Sequence, residues 1–382
     1  MDYTMKKLAT AMLVAGLSVA ATAQAQTAED VKVGFAGPMT GAQAHYGKDF
    51  QNGVVLAVED FNATKPVIGG KPVRIVLDSA DDQADPRTGT TVAQKLVDDN
   101  VKGMLGHFNS GTTIPASRIY ANAGIPEIAM ATAPEYTTQG YKTAFRMMTS
   151  DTQQGSVAGE FAVKTLKMKK IAIVDDRTAY GQGLADQFEK AAKASGATIV
   201  DREYANDKAV DFKAILTKLK SMNPDLVYYG GADSQAGPMV KQMKTLGLRA
   251  PLMAGEMVKT DTFLKIAGTA ADGTVASLAG LPLDEMPGGA AYVAKYKARF
   301  NEDVQTYSPY AYDGAMAMFA AMKSANSTDP AKYLPLLAKT DMAGVTSKQL
   351  AYDSKGDLKN GGITLYKVVD GKWTTLQSVG GK

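Results

Sequence analysis

The feature that most restricts the fold is an alternation of short β-branched runs with helical apolar spacing, begun twice along the chain. Val31–Ala36 reads as a strand and Asp49–Asn62 as a helix. Strand Val73–Leu77 precedes helix Thr88–Asp99, and strand Gly103–Gly106 precedes helix Thr112–Ala123. Ile125–Met130 is a further strand, and the cycle restarts after Arg146. There, helices Gln153–Leu166, Gly183–Ser195, Phe212–Met222 and Gln235–Leu246 interleave with strands. Those strands are Ile171–Val174, one beginning at Thr198–Val200, Leu226–Tyr229 and Pro251–Ala254. Repeated βα units predict parallel sheets covered by helices. Two runs of about 120 residues each predict an α/β protein of two similar, doubly wound, Rossmann-like lobes. Gly69-Gly70, Pro287-Gly288-Gly289 and Gly361-Gly362 punctuate turns, and none is long enough for a free linker. The lobes are therefore joined closely.

Ahead of this pattern, Lys6-Lys7, the apolar run Leu8–Ala21 and Ala23-Gln24-Ala25 have the layout of a secretory signal peptide. Residues 1–25 are expected to be removed, and the mature chain to begin near Gln26 and work in the periplasm. The apolar run is short for a membrane span, and Gln24, Gln26 and Thr27 follow it. About 355 residues remain, enough for two cores, since single cores rarely exceed ~250–300 residues. The chain has no cysteine, which excludes a lipid anchor, thiolate chemistry and disulfides alike. Removing Asp2, Lys6 and Lys7 takes the net charge from +3 to +2, too balanced to imply nucleic acid.

Most catalytic signatures are missing. His45 and His107 are the only histidines, with no metal-pair spacing, so no metal is expected. There is no H-E-x-x-H, P-loop or G-x-S-x-G. Gly181-Gln182-Gly183 opens a helix, but Asp186 stands where a dinucleotide fingerprint has Gly or Ala. Asp81-Asp82-Gln83-Ala84-Asp85 lacks the spacing of a calcium loop, and Asp85-Pro86 reads as a helix start. No catalytic residue and no cofactor is expected.

Three strand-to-helix junctions carry binding chemistry. Asn109-Ser110-Gly111-Thr112-Thr113 follows the third strand, beyond whose carboxyl end α/β proteins bind ligands. A helix start offers free N–H groups and a positive dipole end, and hydroxyls beside them suit a carboxylate. Ordinary capping by Ser110 fits the same residues. Ala131-Thr132-Ala133-Pro134-Glu135 repeats the arrangement after the fourth strand, again readable as a cap. Glu256 follows a strand in the second half, where it could pair with an ammonium or serve as a solvated cap. Together they suit a small zwitterion held between two lobes.

The chain at this point resembles the branched-chain amino-acid (leucine/isoleucine/valine) type of periplasmic binding protein that feeds ABC importers. The resemblance spans the mature chain. Val31–Asn62, Gly106–Thr137, Val227–Met243 and Asp353-Ser354-Lys355-Gly356-Asp357-Leu358 carry it most specifically. It implies a type I periplasmic binding protein fold with three crossover segments. Residues 27–149 plus 280–362 would form one lobe, and 150–279 plus 363–382 the other. Ser110 and Thr132 would bind the ligand carboxylate and ammonium, helped by main chain near Phe108, Met130 and Ala131. Glu256 would balance the ammonium, and Tyr46, Tyr180 and Tyr310 would line the cleft. The leucine binders of the family carry a disulfide that matches Ala84 and Asn109 here, and an aromatic that matches Ala232. The ligand side chain is therefore open: a branched-chain or other amino acid, an amide or an aromatic acid. The expected partner is the membrane permease of an ABC importer, with the chain acting as a monomer. A sensor presenting its ligand to a receptor is the alternative, and a periplasmic hydrolase a more distant one.

Overall fold

The computed structural model describes residues 27–381, so the signal peptide expected over 1–25 lies outside the described residues. Six strands build the first sheet: β1 (Glu29–Gly37), β2 (Val67–Ile68), β3 (Lys71–Asp81), β4 (Met104–Leu105), β5 (Glu127–Ala129) and β6 (Ala144–Arg146). Their order is β2-β3-β1-β4-β5-β6, parallel except for β2. Helices α1 (Ala44–Ala63), α2 (Pro86–Asp98), α3 (Ser110–Asn122) and the short α4 (Glu135–Thr138) connect them. Helical spacing along α1 buries Tyr46, Phe50, Val54, Ala57 and Phe61. Asp85 starts α2 as the sequence suggests, its carboxylate accepting the Thr88 N–H at 2.8 Å with Pro86 beside it.

The second sheet begins with β7 (Lys170–Asp175), β8 (Thr198–Tyr204), β9 (Leu226–Gly230), β10 (Leu252–Ala254) and β11 (Val275–Leu278). Helices α5 (Asp151–Glu160), α6 (Ala179–Ala194), α7 (Lys213–Ser221), α8 (Asp233–Thr245) and α9 (Asp261–Ala267) accompany it. The expected helix Gln153–Leu166 is α5 continued by a π-helical turn, Phe161–Thr165. Every residue of β9 is buried, because helices cover both faces of a parallel sheet.

The chain then returns to the first lobe. Helices α10 (Gly289–Phe300), α11 (Ser308–Ser324) and α12 (Pro330–Leu337) pack there, with Phe319 against Phe61 at a ring distance of 5.0 Å. A small pair, β12 (Asp341–Met342) and β13 (Leu350–Ala351), follows. The hairpin β14 (Ile363–Val369) and β15 (Lys372–Val379) completes the second sheet, whose order is β15-β14-β11-β10-β9-β7-β8. Strands β14 and β15 run antiparallel, because the tight turn at Asp370-Gly371 reverses the chain. The chain thus crosses between lobes after β6, after β11 and after β13.

Both sheets share one winding. In the first, strand order reverses between β1 and β4, and in the second between β7 and β9. Ligands of doubly wound sheets lie outside the carboxyl ends of strands at this reversal. The loops there are 38–43, 106–109, 176–178 and 231–232.

Candidate functional site

Two connected chambers lie between the lobes. The inner one is narrow, about 10 Å3 in volume. The first lobe lines it with Phe108, Asn109, Ser110, Met130, Thr132 and Tyr307, and the second with Tyr180, Glu256 and Met257. An outer chamber of about 550 Å3 shares Asn109, Tyr180 and Met257 and adds Gln43, Ala84, Asp176, Tyr204 and Ala232.

Each wall has a local cause. Helix α3 begins at the chamber, so the positive end of its dipole lies in the wall. Ser110 is not its cap: Asn109 holds that position, and the Ser110 hydroxyl accepts the Ala133 N–H at 3.3 Å. That bond ties the two binding loops together. Arg146, fully buried, shapes the second loop. Its guanidinium donates to the carbonyls of Ala131 and, at 3.0 Å, Ala133, and to the Thr137 hydroxyl at 3.1 Å. The Asp357 carboxylate accepts from its Nε at 2.8 Å.

Glu256 is only 3 % exposed, and the Gln154 side-chain amide donates to it. Burial raises its carboxyl above the usual range, while that amide pulls the other way. Asp151 opens α5 and is 0 % exposed, its backbone N–H donating to the Thr132 carbonyl at 2.8 Å. Burial, then the Glu256 charge, pushes its carboxyl well above the usual range. The Thr132 hydroxyl is the side-chain donor that acts on Asp151, while Gln154 Oε1 and the hydroxyls of Tyr180, Tyr228 and Tyr307 have no hydrogen-bond partner among the described residues. Buried polar groups rarely go unpaired, and the phenol hydroxyls can also donate, so these atoms suit a polar guest.

Six of the residues expected at the site come together in the inner chamber: Phe108, Ser110, Met130, Thr132, Tyr180 and Glu256. Glu256 is no solvated cap. Tyr46 sits behind them, stacked on Phe108 at 5.5 Å, with its hydroxyl donating across the cleft to the Met257 carbonyl. Ala131 contributes a carbonyl to Arg146, while its side chain packs with Ala129, Tyr136 and Ala144. Ala232 lines the outer chamber only. Tyr310 is not brought to the chamber. It lies one turn into α11 beside Gly280 and lines a separate cavity with Thr149 and Leu281. Tyr307 takes the chamber position, because the buried Asp49 carboxylate accepts the N–H groups of Thr306, Tyr307 and Ser308 at 2.9, 2.6 and 3.2 Å. That capping from α1 anchors the start of α11 at the cleft.

Sequence reasoning missed Asp151, Gln154, Met257 and Tyr307. Asp151 reads as an ordinary first-turn acid, and no local signal separates it from one. Ala84 and Asn109 both line the outer chamber, and the Asn109 amide donates to Gln43 at 2.7 Å. His107 lies between Asp82 and the Tyr120 hydroxyl, at 2.7 and 3.1 Å. Among the described residues, no group of three or more His, Cys, Asp or Glu is placed to hold a metal, and no helix is long and apolar enough to cross a membrane.

Comparison with known proteins places this geometry. Residues 30–372 match the family model described as periplasmic binding protein. The chain is 38% identical to a Leu/Ile/Val-binding protein homolog of Brucella melitensis, over 91% of this chain and 94% of that one. Its fold matches a branched-chain amino acid transporter substrate-binding protein, LivJ, of Streptococcus pneumoniae in complex with isoleucine. That match has a TM-score of 0.83 and 27% identity, and covers 92% of this chain and 100% of the other. A solute-binding protein of an ABC transporter from Rhodopseudomonas palustris, in complex with 3,4-dihydroxybenzoic acid, matches with a TM-score of 0.79 and 25% identity, over 92% and 98% of the two chains.

Proposed function

The chain belongs to the periplasmic binding protein family, and from that premise we propose that it captures an amino acid between its lobes and delivers it to an ABC importer. It does so in the periplasm and without chemical change to the ligand. The moving bodies are 27–149 with 280–362, and 150–279 with 363–382.

One observation carries this reading. The inner chamber sets Ser110 and the N-terminus of α3, from one lobe, against Glu256 from the other. The first pair suits a carboxylate, and the acid suits an ammonium. A zwitterion touching both lobes favours closure, because only differential contact with the closed state can shift the equilibrium. The side chain then lies among Phe108, Met130, Met257 and Tyr307, walls that suit an aliphatic group. The isoleucine in the pneumococcal relative supports the same class here. A micromolar affinity requires roughly −8 kcal/mol, within reach of two desolvated charge-assisted contacts and a buried side chain.

The dihydroxybenzoate in the Rhodopseudomonas relative favours a second reading, an aromatic acid. It leaves Glu256 and Asp151 buried without a cation, so the amino acid is preferred. A thermal-shift screen of the twenty amino acids and benzoate decides between them. Branched aliphatic amino acids should give the largest shifts, and Glu256→Gln should abolish them. Stabilisation by benzoate equal to that by any amino acid would overturn the proposal.

A further inference from the structure

Glu256 does not act alone in the chamber. Asp151 and Gln154 lie three residues apart on α5, one helical turn, so they share a face: Gln154 reaches Glu256 from it, and the Asp151 backbone N–H meets the carbonyl of Thr132 in the chamber wall. The Gln154 amide is spent on Glu256, which leaves its oxygen as an acceptor. That oxygen and both Asp151 oxygens are buried, and the Thr132 hydroxyl is the side-chain donor that acts on Asp151. The donors at hand are neutral hydroxyls, those of Thr132, Tyr180 and Tyr307.

Among the described residues the chamber has no resident counter-ion. Arg146 is the cation facing Asp151, and its donors already serve Asp357, Ala131, Ala133 and Thr137. Glu135 adds a further negative charge nearby, and Tyr180, Tyr228 and Tyr307 are neutral phenols whose hydroxyls burial keeps protonated. Two neighbouring carboxylates without a cation do not both ionise in a dry site.

We propose that Asp151 and Glu256 form one two-carboxylate cage that admits a primary ammonium and releases a proton to solvent as it does so. This deepens the amino-acid reading above and rests on it. In the empty cage the pair shares one proton. The arriving ammonium keeps its own three protons, donates them to the cage acceptors and supplies the balancing charge, and the shared proton leaves to buffer. A ligand without N–H donors cannot make this exchange. The cage therefore selects primary amines over quaternary ones such as glycine betaine, and over ammonium-free acids. Binding also weakens as pH falls, because acid keeps the shared proton in place.

Calorimetry with L-leucine at one pH, in phosphate and in imidazole, tests this. The apparent heats should differ by the amount that about one released proton transfers to each buffer. Asp151→Asn should bind L-leucine roughly tenfold more weakly and release no proton, a change that a purely structural role would not produce. Glycine betaine should not bind. If L-leucine binds with equal heats in both buffers, the cage is overturned while the amino-acid reading stands. The cage is overturned in the same way if Asp151→Asn releases as much proton as the wild type. If no amino acid binds, both fall. Should Asp151→Asn fail to fold, the two-buffer comparison on the wild type decides by itself.

Discussion

His45 and Asp233 meet across the mouth of the cleft, Nε2 donating to Oδ2 at 2.9 Å, although 188 residues separate them in sequence. His45 lies at the start of α1 in one lobe, and Asp233 at the start of α8 in the other. The histidine side chain is 31 % exposed and the aspartate 0 %, the latter also accepting from the Thr260 hydroxyl at 2.7 Å. Neither lines the inner chamber. A contact between lobes that stands clear of the inner chamber is expected to affect closure and to leave ligand contacts alone. His45→Ala should raise the L-leucine off-rate about fivefold, the equivalent of ~1 kcal/mol, while the melting temperature of the empty protein changes little. Stopped-flow release measures it, and an unchanged off-rate would show that closure does not depend on this contact.

Arg146 links the binding loop to the distant Asp353–Leu358 segment through Asp357. Arg146→Met takes the cation from Asp357 and one donor each from the Ala131 and Ala133 carbonyls, and should cost about 3–5 kcal/mol in urea denaturation. Arg146→Lys keeps the charge and loses the planar fork. It should fold, yet bind L-leucine more weakly, because Thr132 is no longer held in place. An Arg146→Lys protein with wild-type affinity would rule out this indirect role.

The outer chamber should show itself in a pH profile. Burial pushes the Asp176 carboxyl from its ordinary 3.8 up to about 6, against the hydrogen bonds from Thr178. Between those values the folded protein holds a proton that the unfolded chain has lost. The stability this proton confers is complete below the ordinary value and declines as pH rises through the window, by on the order of 2–3 kcal/mol. Asp176→Asn can still accept from the Thr178 N–H and hydroxyl, 2.9 and 2.6 Å from Oδ1, but does not titrate. Its stability relative to wild type should therefore climb between pH 4 and about 6.5. A gap that stays constant with pH would sink this assignment.

Ala232 stands at the rim, in the outer chamber, where an aromatic side chain would fill space that long ligands need. Ala232→Tyr should weaken L-phenylalanine at least tenfold and leave L-valine within about twofold, since small aliphatic groups stay inside. Competition binding separates the two. Equal losses for both amino acids would place Ala232 outside the ligand's path.

The legible and illegible parts of this protein divide by the range of the forces involved. The parallel strands and their helices were readable because hydrophobic periodicity is local: α1 buries one face wherever it lies, and Asp85 caps α2 through Thr88, three residues away. The segment beyond Ala254 carried no such alternation, and its strands exist because partners distant in sequence receive them. Strand β14 pairs with β11, and β15, largely exposed, holds only to β14. At the site, residue type and resemblance pointed to Ser110, Thr132 and Glu256. Nothing in the sequence told Tyr307 from Tyr310, because that choice depends on Asp49 capping α11 from 258 residues away. Nor could it show Asp151 buried beside Glu256, since an acid in a first turn looks alike whether water or a second lobe covers it. The sequence by itself determined the two sheets and the chemical types available at their strand ends. The packing of one lobe on the other decided which of those groups lost their water, and with it the electrostatics of the cleft.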